Sequence, residues 1–199
     1  MFKVLVGRKN VIKMIFASCL FLFICGCGKA QYETNTLVFN KDGSFDEYLV
    51  EDFDTSVYDF EELKRDTEEF ITNYNASNKY KMELTEIKLE GDVLRSVIKY
   101  DDDDVYYDFN NLPIFYGTVA KAVKAGYSLS APVIGVENGE SVNVATSKDI
   151  ADSHIVILNI ATDVSTYKDI KYATENVKVS DDHKRATVEG GSTAYIVFD

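Results

Sequence analysis

Residues 36–50, TLVFNKDGSFDEYLV, decide how the rest of the chain is read. Residues 36–40 alternate towards Leu37 and Phe39, Lys41-Asp42-Gly43 carries turn chemistry, and Phe45 followed by residues 48–50 resumes a strand-like pattern. Two strand-like runs around a Gly able to take a positive φ make a β-hairpin. After the polar exit at Glu51, Asp52 and Asp54, Asp59 is a good helix N-cap, and Glu62 three residues on completes a capping-box pattern. Phe60, Leu63, Thr67, Phe70, Ile71 and Tyr74 fall on one stripe, so residues 60–74 are expected to form an amphipathic helix. Met82, Leu84, Ile87 and Leu89, then Val93, Leu94, Val97 and Ile98, flank the turn at residues 90–92 and read as a second hairpin. Hairpin, helix, hairpin is an antiparallel α+β plan.

Beyond it, Asp101 to Asp104 precede Val105-Tyr106-Tyr107-Asp108-Phe109, the pattern of an acid-capped short helix broken at residues 110–113. Phe115, Val119, Ala122 and Val123 give a second helical stripe over residues 115–124, with Gly126 as its C-terminal cap. From residue 130 the chain turns to short β-runs, expected at residues 133–137, 141–145, 154–160, 169–173, 176–179, 186–188 and 194–198. The fold class expected is α+β, with a hairpin-helix-hairpin N-terminal half, a short helix pair and a β-rich C-terminal half. Whether the last part forms its own lobe stays open, but no Pro/Gly/Ser linker divides the chain, and residues 36–199 are read as a single α+β domain.

The start sets the expected compartment. Lys3, Arg8, Lys9 and Lys13 precede an uncharged apolar run over residues 14–24. That is a signal-peptide pattern, and the run is about half of the ~20 residues a spanning helix needs. Ile24-Cys25-Gly26-Cys27 resembles the lipobox of bacterial lipoproteins. The resemblance implies a diacylglyceryl group on Cys27, cleavage after Gly26, and a mature protein anchored to the extracytoplasmic face of the cell membrane. Two acyl chains at about 0.8 kcal/mol per buried methylene suffice for stable anchoring. Cleavage after the small-x-small run at residues 28–30, giving a released domain, is the competing reading. Residues 1–26 are thus the leader and 27–35 a tether, which at about 3.3–3.6 Å per residue reaches under roughly 30 Å.

All three cysteines, Cys19, Cys25 and Cys27, lie in the leader or at the anchor, so the exported part has no disulfide, thiolate zinc site or cysteine nucleophile. Removing residues 1–26 takes four of the 21 basic residues and none of the 33 acidic ones, moving the formal charge from −12 to −16. Such a surface disfavours nucleic acid as a partner. Acids at Asp101 to Asp104 lack the EF-hand spacing, and consecutive acids at a helix start are expected to diverge, so capping is preferred to a metal. His154 and His183 have no zinc spacing, and Ser153-His154 has no nucleophile elbow around it. No cofactor or catalytic motif emerges. Residues 106–116 concentrate aromatics, and Tyr106, Tyr107, Phe115 and Tyr116 are the candidate contacts for a protein partner in the envelope, or for a solute or glycan; packing of helices onto a sheet is the plainer reading.

Taken together, Cys27, residues 37–44 (LVFNKDGS), 50–53 (VEDF), 115–119 (FYGTV), 125–127 and 176–179 make the chain resemble a group of small, uncharacterised lipoproteins of Gram-positive gut bacteria. The resemblance implies a membrane-held envelope protein and no particular chemistry. A non-enzymatic binding or assembly module is the expectation, and a solute- or glycan-binding lipoprotein the alternative.

Overall fold

The computed structural model describes residues 32–199, which form one compact unit. Residues 1–31, on which the expected leader, Cys27 and the start of the expected tether fall, lie outside them. The elements run β1 (Thr36–Phe39), β2 (Phe45–Asp52), α1 (Phe60–Ser77), β3 (Met82–Glu90), β4 (Val93–Tyr100), α2 (Asp103–Asn110), β5 (Ile114–Thr118), α3 (Val119–Lys124), then β6 (Val133–Gly135), β7 (Ser141–Val142), β8 (His154–Leu158), β9 (Ala161–Thr166), β10 (Ile170–Ala173), β11 (Val177–Val179), β12 (Arg185–Glu189) and β13 (Ala194–Phe198). The α+β class expected from the sequence holds. No helix among the described residues is long and apolar enough to cross a membrane.

The strands form two sheets, in the orders β11-β12-β9-β1-β2-β4-β3 and β5-β8-β13-β10-β6-β7. The first hairpin forms as its alternation demands: Phe39 pairs with Phe45, and Gly43 takes φ +94° in the turn. The C-terminal half does not stand apart. Its β9, β12 and β11 complete the first sheet, and β1 runs parallel to β9 with Leu37 opposite Val164. Leu37, Phe39, Phe45 and Val164 from one sheet meet Val156, Leu158, Ile196 and Phe198 from the other in a shared core, closed at one side by Ile71 of α1 and by Val105 and Tyr106 of α2. The outer face of the second sheet has its own core, where Ile155, Ile157, Tyr195 and Val197 pack beneath Val119 and Ala122 of α3 and Leu129, Val144 and Ile150 of the loops. Strand β13 therefore reads as the unbroken apolar run AYIVF, because both its faces are covered.

Four expectations need correction. Residues 114–118 are a strand and not the start of a helix. Ile114 and Tyr116 point into the first core while Phe115 packs in the second, a period of two that the β5–β8 ladder enforces from Ile114/Leu158 to Thr118/His154. The helix begins only at Val119, where the Thr118 side chain accepts from the Lys121 amide. Strand β9 had no counterpart in the sequence reading, since Thr162, Asp163 and Ser165 dilute its one strong apolar residue, Val164; it lies centrally, between β1 and β12. Helix α1 runs on to Ser77, and Asn75 is bonded through its side chain to both the N–H and the C=O of Met82, which ties the helix to β3. Last, residues 32–35 belong to the fold and not to a free tether. Arg95 donates to the Tyr32 carbonyl at 2.9 Å and pairs with Glu33 at 2.7 Å, Asn35 Oδ1 accepts from the Val50 amide at 2.7 Å, and the Asn35 carbonyl accepts from Asp163.

Candidate ligand cleft

A cleft of about 240 Å3 opens where the β1–β2 turn meets the end of β5 and the start of β8, lined by Lys41, Asp42, Gly43, Tyr116, Gly117, Thr118, Lys121 and His154. Three separate stretches of chain supply it, at residues 41–43, 116–121 and 154. The hairpin register carries Lys41 to Gly43 to this end of the first sheet, while the pairing of Thr118 with His154 and of His154 with Phe198 carries the remainder to the matching end of the second.

His154 is held by rings. Phe198 stacks on it at 5.5 Å and 19°, Tyr167 meets it edge-on with its hydroxyl 3.2 Å from Nε2, and Tyr116 lies at 6.1 Å. Burial, and then the positive charges of Lys168 and Lys121, lower the imidazole's affinity for a proton; Asp199 opposes them weakly. The ring is accordingly neutral near pH 7. Tyr116 donates its hydroxyl to the Asn40 carbonyl at 2.6 Å, and burial, helped by Tyr167, pushes that phenol far above its ordinary range. Asp42 stays ionised because the Ser44 hydroxyl and amide both donate to it, with Lys99 at 3.8 Å adding to the effect. Among the described residues Lys41, Lys121 and Lys168 have no carboxylate within 4.0 Å. The chain matches no family model, no curated protein and no solved structure.

The aromatics singled out in the sequence are dispersed. Tyr106 is 1% exposed and belongs to the first core, so it is withdrawn from any surface contact. Phe115 packs on the other face of its sheet against Tyr127, with ring centres 4.8 Å apart, and Tyr107 is 48% exposed on α2. Tyr116 alone reaches the cleft. No single stacking platform results. Ser153 donates to Asp199 at 2.9 Å, and its neighbour His154 contacts Tyr167, so the two do not form a nucleophile and base pair.

The acidic run differs from its expectation. Asp102, Asp103 and Asp104 converge, with a carboxylate oxygen from each within 4.8 Å of the others. Two are already committed, Asp102 to the Asp104 amide as the helix cap and Asp103 to the Tyr116 amide at 3.2 Å. Burial raises Asp103 to about 6, against the pull of that amide and with the charge of Asp102 adding to it. These bonds account for the cluster as a cap that fastens α2 to β5. One half-buried acid has no signal in the sequence. Glu47 lies on the core face of β2, where Tyr100 (2.7 Å), Tyr106 (3.3 Å) and Asn110 (3.4 Å) all donate to its carboxylate. Burial outweighs the three donors and raises its proton affinity.

Proposed function

We propose that this chain is a non-enzymatic binding module of the cell envelope, held on the extracytoplasmic membrane face by a lipid on Cys27, with the cleft as its recognition site. The observation that carries this reading is the opposition of two ends. The chain enters the fold at Tyr32, beside the start of β1, while the β1–β2 turn at the other end of that strand lines the cleft. Only residues 28–31 separate Cys27 from the bonded Tyr32, a span of at most roughly 18 Å. Such a short leash turns the cleft away from the bilayer and towards what passes over it. A cleft this size, with polar groups and one tyrosine, suits a small solute better than an extended glycan. A protein partner is the second reading, favoured by Val123 and Tyr127, which are 45% and 40% exposed beside Phe115. Mass spectrometry of the mature N-terminus together with fractionation of Cys27→Ser tests the anchor. The lipid is expected on Cys27 and the variant in the soluble fraction; an unmodified sulfur with unchanged fractionation refutes the anchor.

A further inference from the structure

The charges around the cleft run against those of the molecule. The chain carries 33 acidic residues against 21 basic ones, and the lysines and arginines of the remaining sheet surface are largely matched: Lys88 lies between Glu86 and Glu90, Arg95 between Glu33 and Glu90, and Lys178 against Glu189. At the cleft, Lys41 and Lys121 line the opening unmatched, and the Lys168 charge acts on the same imidazole. The acid at the rim, Asp42, is already satisfied by Ser44 and Lys99. We infer that this cleft binds a small oxyanion, a carboxylate or a phosphate, between Lys41 and Lys121 with His154 beside it. The inference rests on the reading of the cleft as the recognition site and adds the ligand's chemistry.

Two cations on separate elements, one on a hairpin turn and one on α3, can approach an oxyanion from different sides, each giving a charge-assisted hydrogen bond. A bound anion also favours the imidazolium. His154 is faced by Tyr116 of β5, by Tyr167 and Lys168 after β9, by Asp199 after β13, by Lys121 of α3, and by Lys41 and Asp42 across the opening; of these, only the lysines and the two carboxylates carry charge near neutral pH. An anion that offsets the lysines removes the second cause, after burial, of the ring's lowered proton affinity, so binding tightens as pH falls through the His154 pKa.

The chain has two histidines, and His183 lies in the turn between β11 and β12 and is not among the lining residues. Side-chain NMR of the full chain in detergent therefore carries its own internal control. On titration with inorganic phosphate, or in a second arm with acetate, the His154 signals are expected to shift saturably and its pKa to rise, with His183 unmoved. Lys41→Gln and Lys121→Gln are each expected to weaken the response about tenfold, and Lys178→Gln to leave it unchanged. The arm that saturates at lower concentration identifies the preferred oxyanion. Equal movement of both histidines, or binding indifferent to both lysine substitutions, overturns the inference. A saturable shift with glucose and none with either anion overturns it while leaving the cleft as the recognition site; no shift with any of the three overturns both.

Discussion

Glu47 couples the protonation state of one residue to the stability of the fold. Its proton affinity is raised in the folded chain above the ordinary carboxyl value of 4.5 by burial, so the folded state holds a proton that the unfolded state releases first. Its contribution is fully present below the unfolded value and is lost as pH rises through the folded one. Glu47→Gln keeps the shape without the charge, and is expected to flatten this dependence: relative to wild type it gains stability between pH 5 and pH 7, measured by urea denaturation at both. An unchanged difference between the two proteins across that range refutes the coupling. Tyr100→Phe removes the shortest donor to Glu47, at 2.7 Å, and is expected to cost about 1–3 kcal/mol at pH 7, and less at pH 5, where the acid is closer to neutral. Neither effect could be read from the sequence, in which Glu47 is one of many acids in an acid-rich strand.

At the scale of elements, the legible parts were those with local periodicity and local caps. The Phe60 to Tyr74 stripe and the Asp59 cap, which accepts from the Glu62 amide at 3.0 Å, were visible because a helix writes its contacts three and four residues apart. Strand β9 was not, because what makes it a strand lies in β1 and β12, far off in the chain. Strand β5 was mistaken because Phe115, Val119, Ala122 and Val123 also satisfy a helical spacing, and only the β8 ladder breaks the tie. The cleft was illegible for the same reason: Lys41, Tyr116, Lys121 and His154 meet only through pairings in two sheets. The extension of α1 to Ser77 makes its own prediction. Asn75→Ala strips Met82 of both its side-chain partners, and is expected to cost about 1–3 kcal/mol and to speed hydrogen exchange in β3 while leaving β1 protected. Equal loss of protection in both strands argues against a local tie.

For the whole molecule, the end at which Tyr32 enters the fold carries an excess of acid. Glu33, Glu90 and Glu189 there are matched by Arg95, Lys88 and Lys178, while Glu51 and Asp52, which close β2, have no cation within 4.0 Å among the described residues. Anionic headgroups repel such an end within a Debye length of about 8 Å, so under the proposed anchoring at Cys27 the domain is expected to stand farther off a phosphatidylglycerol bilayer than off a phosphatidylcholine one, with the gap closing in high salt, as neutron reflectometry of protein carrying that lipid can measure. The same entry point has a mechanical side. Strand β1 is laddered to β2 on one edge and to β9 on the other, four residue pairs each, and a tug on the chain at Tyr32 is passed to it. The two ladders then carry the load in shear, side by side, and must rupture together instead of peeling open one bond after another. Whatever seizes the far end of this protein pulls against both ladders at once.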